Sequence, residues 1–172
     1  RDIGVTGVQT CALPISLNGT QTQINAALAT LIYQGSSNFN GSDTLTVAST
    51  DGAGTPLSDT DTVSITVSPV NDAPINTVPG AQTVNEDSAL AFNSTNGNAI
   101  TVSDVDGNLA TTQLSVTNGT LSITLGSTGA TISAGATGSS TLTLSGTQTQ
   151  INAALATLIY QGNANFNGSD TL

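Results

Sequence analysis

Carboxylates are almost the whole charged chemistry of this sequence. Its 172 residues contain eleven Asp and Glu against one Lys or Arg, no His, and a formal net charge of −10 at pH 7. The most suggestive spacing is Asp104-Val105-Asp106-Gly107. Aspartates at i and i+2 around a glycine turn can aim both carboxylates at one cation. Calcium suits such a pair, because it takes 6–8 oxygen ligands at roughly 2.3–2.6 Å. Two carboxylates 4 Å apart repel by ~1 kcal/mol in water and ~4 kcal/mol at an effective dielectric of 20. Past Arg1 the chain has no Lys or Arg to relieve this, so a bound cation, protonation or separation must do so. The bland alternative is a solvated turn, for which Asp-x-Asp-Gly is also a common sequence. An EF-hand is excluded. In a loop starting at Asp104, position 6 is Leu109 and position 12 is Ser115, where Gly and Glu are required.

The same composition closes off other chemistries. Without His there is no His-based triad and no His-liganded zinc. Nucleic-acid binding needs Lys and Arg to displace counterions. Aromatic residues are 3 % of the chain, too few for stacking platforms. A glycosidase would need two carboxylates about 5–9.5 Å apart in a cleft, and no spacing here signals one. The expectation is a protein that is not an enzyme. The glycine-rich stretch 126–138 has no Lys and no phosphate-loop spacing, so it reads as a loop. Asn-x-Ser/Thr occurs at Asn18, Asn40, Asn93, Asn118 and Asn167, mostly as Asn-Gly turns.

An internal repeat organises the elements that must carry these residues. Leu17–Leu45 and Leu144–Leu172 align at a constant offset of 127. Only Asn18/Ser145, Ser36/Asn163 and Ser37/Ala164 differ among the 29 aligned pairs, leaving 26 identical. A unit of that length has the size of a globular domain and exceeds a solenoid repeat. Thr20 with Gln23, and Thr147 with Gln150, form the capping-box pattern. Ile24, Ala27, Leu28 and Leu31, repeated as Ile151, Ala154, Leu155 and Leu158, give one apolar face. Short helices are predicted over 21–30 and 148–157. Strands are predicted over 44–49, 60–68, 81–84, 90–92, 99–102, 113–117, 120–125, 131–133 and 140–145, with Leu-Ile-Tyr brief strands after each helix. Leu45, Val47, Val63, Ile65 and Val67 are expected on inner faces, with Asp59 and Asp61 on the outward face of their strand as edge protection. Asn118-Gly119 is the strongest short hairpin signal. Many short strands with regular turn signals predict an all-β sandwich with one short helix per repeat.

Residues 1–15 include GVTGVQTCALPI, which resembles the translation of a sequencing-library adapter, and they are expected to be a non-native scar. Arg1 and Cys11 lie in it, so no disulfide or thiol chemistry is expected. The remaining organisation is residues 16–70 as the back part of one repeat, 71–75 as a linker, and 76–172 as a truncated following repeat. The missing strands lead us to expect an open sheet edge and exposed apolar side chains near Ile159 and Leu172, hence marginal stability.

The stretch from Thr46 to Pro74 resembles the end of a cadherin repeat. Asp51, Gly52, Pro56, Leu57 and Ser58 match its A-x-D-x-G…P-x-L-S part. Val70-Asn71-Asp72-Ala73-Pro74 matches its linker, lacking the first Asp and second Asn of that pattern. Val84-Asn85-Glu86-Asp87, Val102 to Gly107, and Asn38 to Asp43 complete a resemblance to the cadherin-like repeats of large bacterial surface and biofilm adhesins. It implies a cadherin- or immunoglobulin-like sandwich, an extracellular, cell-surface location, and a role in cell adhesion, homophilic or towards other surface proteins and glycans. It implies no nucleic-acid partner and no membrane insertion by this segment. It also implies calcium between consecutive repeats, held by Asn71, Asp72, Asp104 and Asp106, with Asp43 as the acidic group of the preceding repeat. Asp51, Glu86 and Asp170 would serve neighbouring junctions. The alternative is a glycan- or ligand-binding module on the same scaffold, against which the low aromatic content argues.

Overall fold

Thr20 and Thr147 open the only two helices among the described residues, 14–172 of a computed structural model. The proposed scar lies almost wholly outside that range. Each threonine accepts from the N–H of the glutamine three residues on, whose side chain accepts from the threonine's own N–H, so both capping boxes form. The helices are α1, Gln21–Leu28, and α2, Gln148–Leu155, each ending within the last turn of the predicted span. Everything else regular is strand, and every pairing is antiparallel. The described residues are all-β with two short helices.

The chain divides between Val70 and Asn71 into two compact units. In the first, β1 (Gly41–Thr50) and β2 (Ser58–Val67) form a ten-residue ladder. Thr and Ser alternate with Leu45, Val47, Ile65 and Val67, which is the period-2 pattern of a half-covered strand. Leu45 lies opposite Val63, and Val47 opposite Asp61. Directly opposed residues share a face, so Asp61, and Asp59 two residues before it, lie on the apolar face. The expected outward placement of both is thereby overturned, because a two-residue period cannot separate 59 and 61 from 63, 65 and 67. Val63 is exposed. No strand forms at Leu31–Tyr33.

The second unit holds eight strands: β3 (Ile75–Thr77), β4 (Ala89–Ala91), β5 (Thr101–Ser103), β6 (Thr111–Ser115), β7 (Gly119–Ser122), β8 (Thr131–Gly135), β9 (Thr141–Ser145) and β10 (Ile159–Gly162). They pair as β4-β10-β7, β6-β9-β8 and β3-β5. No strand forms over 81–84. The core contains Phe92, Ile100, Val102, Leu114, Leu121, Leu142 and Leu144 from the strand region and Ile151, Ala154, Leu155 and Leu158 from α2 and its exit. Residues 71–75, expected as a linker, belong to this unit and lead into β3.

The hairpin predicted at Asn118-Gly119 is absent. β6 pairs with β9 and β7 with β10, so the chain passes from one sheet to another there. Glycine is required for a different reason. A Cβ on Gly119 would meet the Tyr160 ring and, at 2.6 Å, the Gln161 carbonyl oxygen. Gly135, at φ +73°, closes β8 just after its irregular pairing with β9 and lies hard against the Thr141 carbonyl.

Candidate functional site: the acidic turn and its strap

Four of the predicted ligands come together inside the second unit. β5 runs out into Asp104, whose Oδ1 accepts from the Asp106 N–H at 2.9 Å, while the Gly107 N–H reaches the Asp104 carbonyl at 3.2 Å. Gly107 has φ +70°, a conformation that favours glycine. The turn therefore forms because an Asx bond and a left-handed glycine act within four residues. Asp104 is buried, whereas Asp106 is exposed.

The segment before β3 straps onto this turn. The Asp72 N–H donates to Asp106 Oδ2 at 2.6 Å, and Asn108 Nδ2 donates to Asn71 Oδ1 at 2.6 Å. The β3–β5 ladder, with Ile75 opposite Ser103, continues the attachment. From the other side, α2 holds the turn with two amide side chains one helical turn apart. Gln148 Oε1 accepts from the Asp104 N–H at 2.7 Å. Asn152 both accepts from the Val102 N–H at 2.9 Å and donates to the Val102 carbonyl at 2.8 Å. Asn108 and Gln148 were not among the predicted residues. Asn108 could have been found from the i, i+2, i+4 run Asp104, Asp106, Asn108; Gln148 gave no signal beyond its place at the start of a helix.

The donor set is right in kind for a hard cation, with carboxylates and amide oxygens only. It is not arranged as a cage. Among the described residues, no group of three or more acidic side chains converges to hold a metal ion. Asp106 Oδ2 and Asn71 Oδ1 are engaged by N–H donors.

The remaining predicted ligands are Asp43, Asp51, Glu86 and Asp170. Asp43, in the first unit, accepts from the Tyr33 hydroxyl at 3.0 Å and from the Thr44 N–H at 2.8 Å. Its repeat counterpart Asp170 accepts from Tyr160 at 3.0 Å, and also from the N–H groups of Thr117, Asn118 and Thr171 at 3.1, 2.9 and 2.8 Å. Desolvation opposes the charge of Asp170, but the N–H donors of Asn118, Thr171 and Thr117 and the Tyr160 hydroxyl outweigh it. Its carboxyl is held below the usual carboxylate range. Desolvation first, then the bond to Asp170, pushes the Tyr160 hydroxyl up; the same causes, with Asp43, raise Tyr33. Asp51 organises its own loop, accepting from the N–H groups of Ala53 and Leu57 at 3.2 and 3.1 Å. Glu86 is exposed, and its neighbour Asp87 accepts from the Asn165 N–H at 2.9 Å.

A family model described as "Protein GAMETE EXPRESSED 2 domain" matches residues 93–172. The similarity thus takes in the acidic turn, α2 and the Asp170 cluster, and leaves out the strap and the first unit. No curated protein and no solved structure matches the chain. Among the described residues, no helix is long and apolar enough to cross a membrane.

Proposed function

We propose that this chain is a structural segment of a tandem-repeat, extracellular adhesin, with cadherin-like sandwich modules and calcium-dependent stiffness where successive repeats meet. The observation that carries the proposal is the strap: Asp72 and Asn71, which lead into the second repeat, are bonded directly to Asp106 and Asn108 of its acidic turn. Asn71, Asp72, Asp104 and Asp106 are the residues that would hold the ion. Calcium there would supply positive charge among carboxylates that have no basic neighbour. The protein's own part is to bring them together, through the strap, the Asx turn and the Gln148 bond to Asp104. A structural spacer also suits a sequence without histidine and with a single basic residue, Arg1, and a single thiol, Cys11.

Calcium titration of the full chain, followed by calorimetry or amide NMR, tests this reading. Saturable binding is expected in the weak extracellular range, roughly 10⁻⁴–10⁻³ M. The perturbed amides should be those of 71–72 and 104–108, and Asp106→Asn should abolish the response. Titration without saturation, or shifts spread evenly over the acidic surface, would reject calcium at this turn.

A further inference from the structure

The near-identical segments 17–45 and 144–172 sit in opposite environments. In the second unit Leu155 and Leu158 are 0 % exposed; their counterparts Leu28 and Leu31 are 39 % and 48 % exposed. The polar positions differ in the same way. Gln148, Asn152, Thr157 and Asp170 bond the backbone of Asp104, Val102, Thr124 and Thr117–Asn118. Their counterparts Gln21, Asn25, Thr30 and Asp43 carry the same groups at the same spacing. All these positions, apolar and polar, are identical between the copies, and the three differences fall at 18, 36 and 37.

We infer that residues 21–43 are a second occupant for the seat that residues 148–170 fill, and that the partner offering this seat is a second copy of the chain. The seat is the strand core of residues 89–145. Its chemistry is already known from its resident: an apolar stripe, plus backbone groups at Val102, Asp104, Thr124 and Thr117–Asn118 that need amide, hydroxyl and carboxylate partners. Exchange of one segment for the other keeps each of these contacts. What the incoming segment lacks is the tether, which gives the resident an effective concentration of about millimolar order. Association between copies is therefore weak, and slow because the resident must leave first. Exchange of equivalent elements is a low-cost route to oligomers.

Sedimentation of the full chain from about 10 µM to about 1 mM, a range reaching that effective concentration, should show association developing over hours. Leu28→Asp should abolish it without altering the melt of the second unit, because Leu28 is exposed. Asn25→Ala should weaken it by about tenfold or more, since the Val102 N–H and C=O would lose their partner in a buried site. A chain that stays monomeric throughout overturns the inference. So does association that survives Leu28→Asp, or that is insensitive to Asn25→Ala, because mere adhesion of apolar faces would not depend on an amide.

Discussion

Asp170 is a hub of four donors, and its depressed pKa sets the sign of its effect. In the unfolded chain it titrates near the ordinary carboxylate value of 3.8. Its contribution is present above that value and is lost as pH falls through the lower folded value. Tyr160 behaves oppositely, since its folded value is raised above 10.0; its contribution is present below 10.0 and is lost as pH rises through the folded value. Urea unfolding measured against pH should fall on both flanks, and Asp170→Asn should flatten the acid flank. Gly119→Ala should cost about 1–3 kcal/mol by overpacking, read as a shift in denaturation midpoint, because Tyr160 and the Gln161 carbonyl occupy the space a methyl would need. The acidic turn was readable from Asp104, Asp106 and Gly107, whose signals are local. The role of Asp170 was not, because its N–H donors Thr117 and Asn118 lie some fifty residues away and offer backbone groups that no side-chain pattern records.

At the scale of elements, the two helices separate local from tertiary causes. Both capping boxes form, although α1 has no buried residue and α2 buries Ile151, Ala154 and Leu155. Helix position was therefore legible from Thr, Gln and the apolar spacing alone. Burial was not, because it depends on what lies opposite. Leu155→Ala should cost about 2–5 kcal/mol, whereas Leu28→Ala, the same change in the same octapeptide, should stay within about 0.5 kcal/mol. Chemical denaturation of both variants gives the comparison. Strands followed the period-2 pattern where they were long, as in β1 and β2. The Asn-Gly hairpin failed because Gly119 serves a close approach between β7 and β10, a demand that turn chemistry does not encode.

Across the whole molecule, protection should be uneven. All fourteen buried hydrophobic residues of the described chain lie between Phe92 and Leu158. Amide exchange depends on such local packing. Hydrogen-exchange mass spectrometry should find slow amides in β7, β9 and α2 and fast ones throughout residues 17–70, with β1 and β2 no slower than the fraying ends of the second unit. Equal protection in both units would contradict the packing described here. The all-β class was legible from the alternation of Thr and Ser with Val, Ile and Leu, while the unequal packing of two nearly identical segments was not.

The stitching of Gln148 and Asn152 to β5 has a mechanical meaning. Tension applied at Asn71 and Asp72 does not rest on the three-residue β3–β5 pairing alone. It passes through Asp106 into the aspartate turn, along β5, and across two amide side chains into a helix rooted in the core. A pull on the entrance of the second unit is thus resisted by two side-chain bonds in addition to the short ladder, and the turn and strand they pull against are themselves pinned to α2.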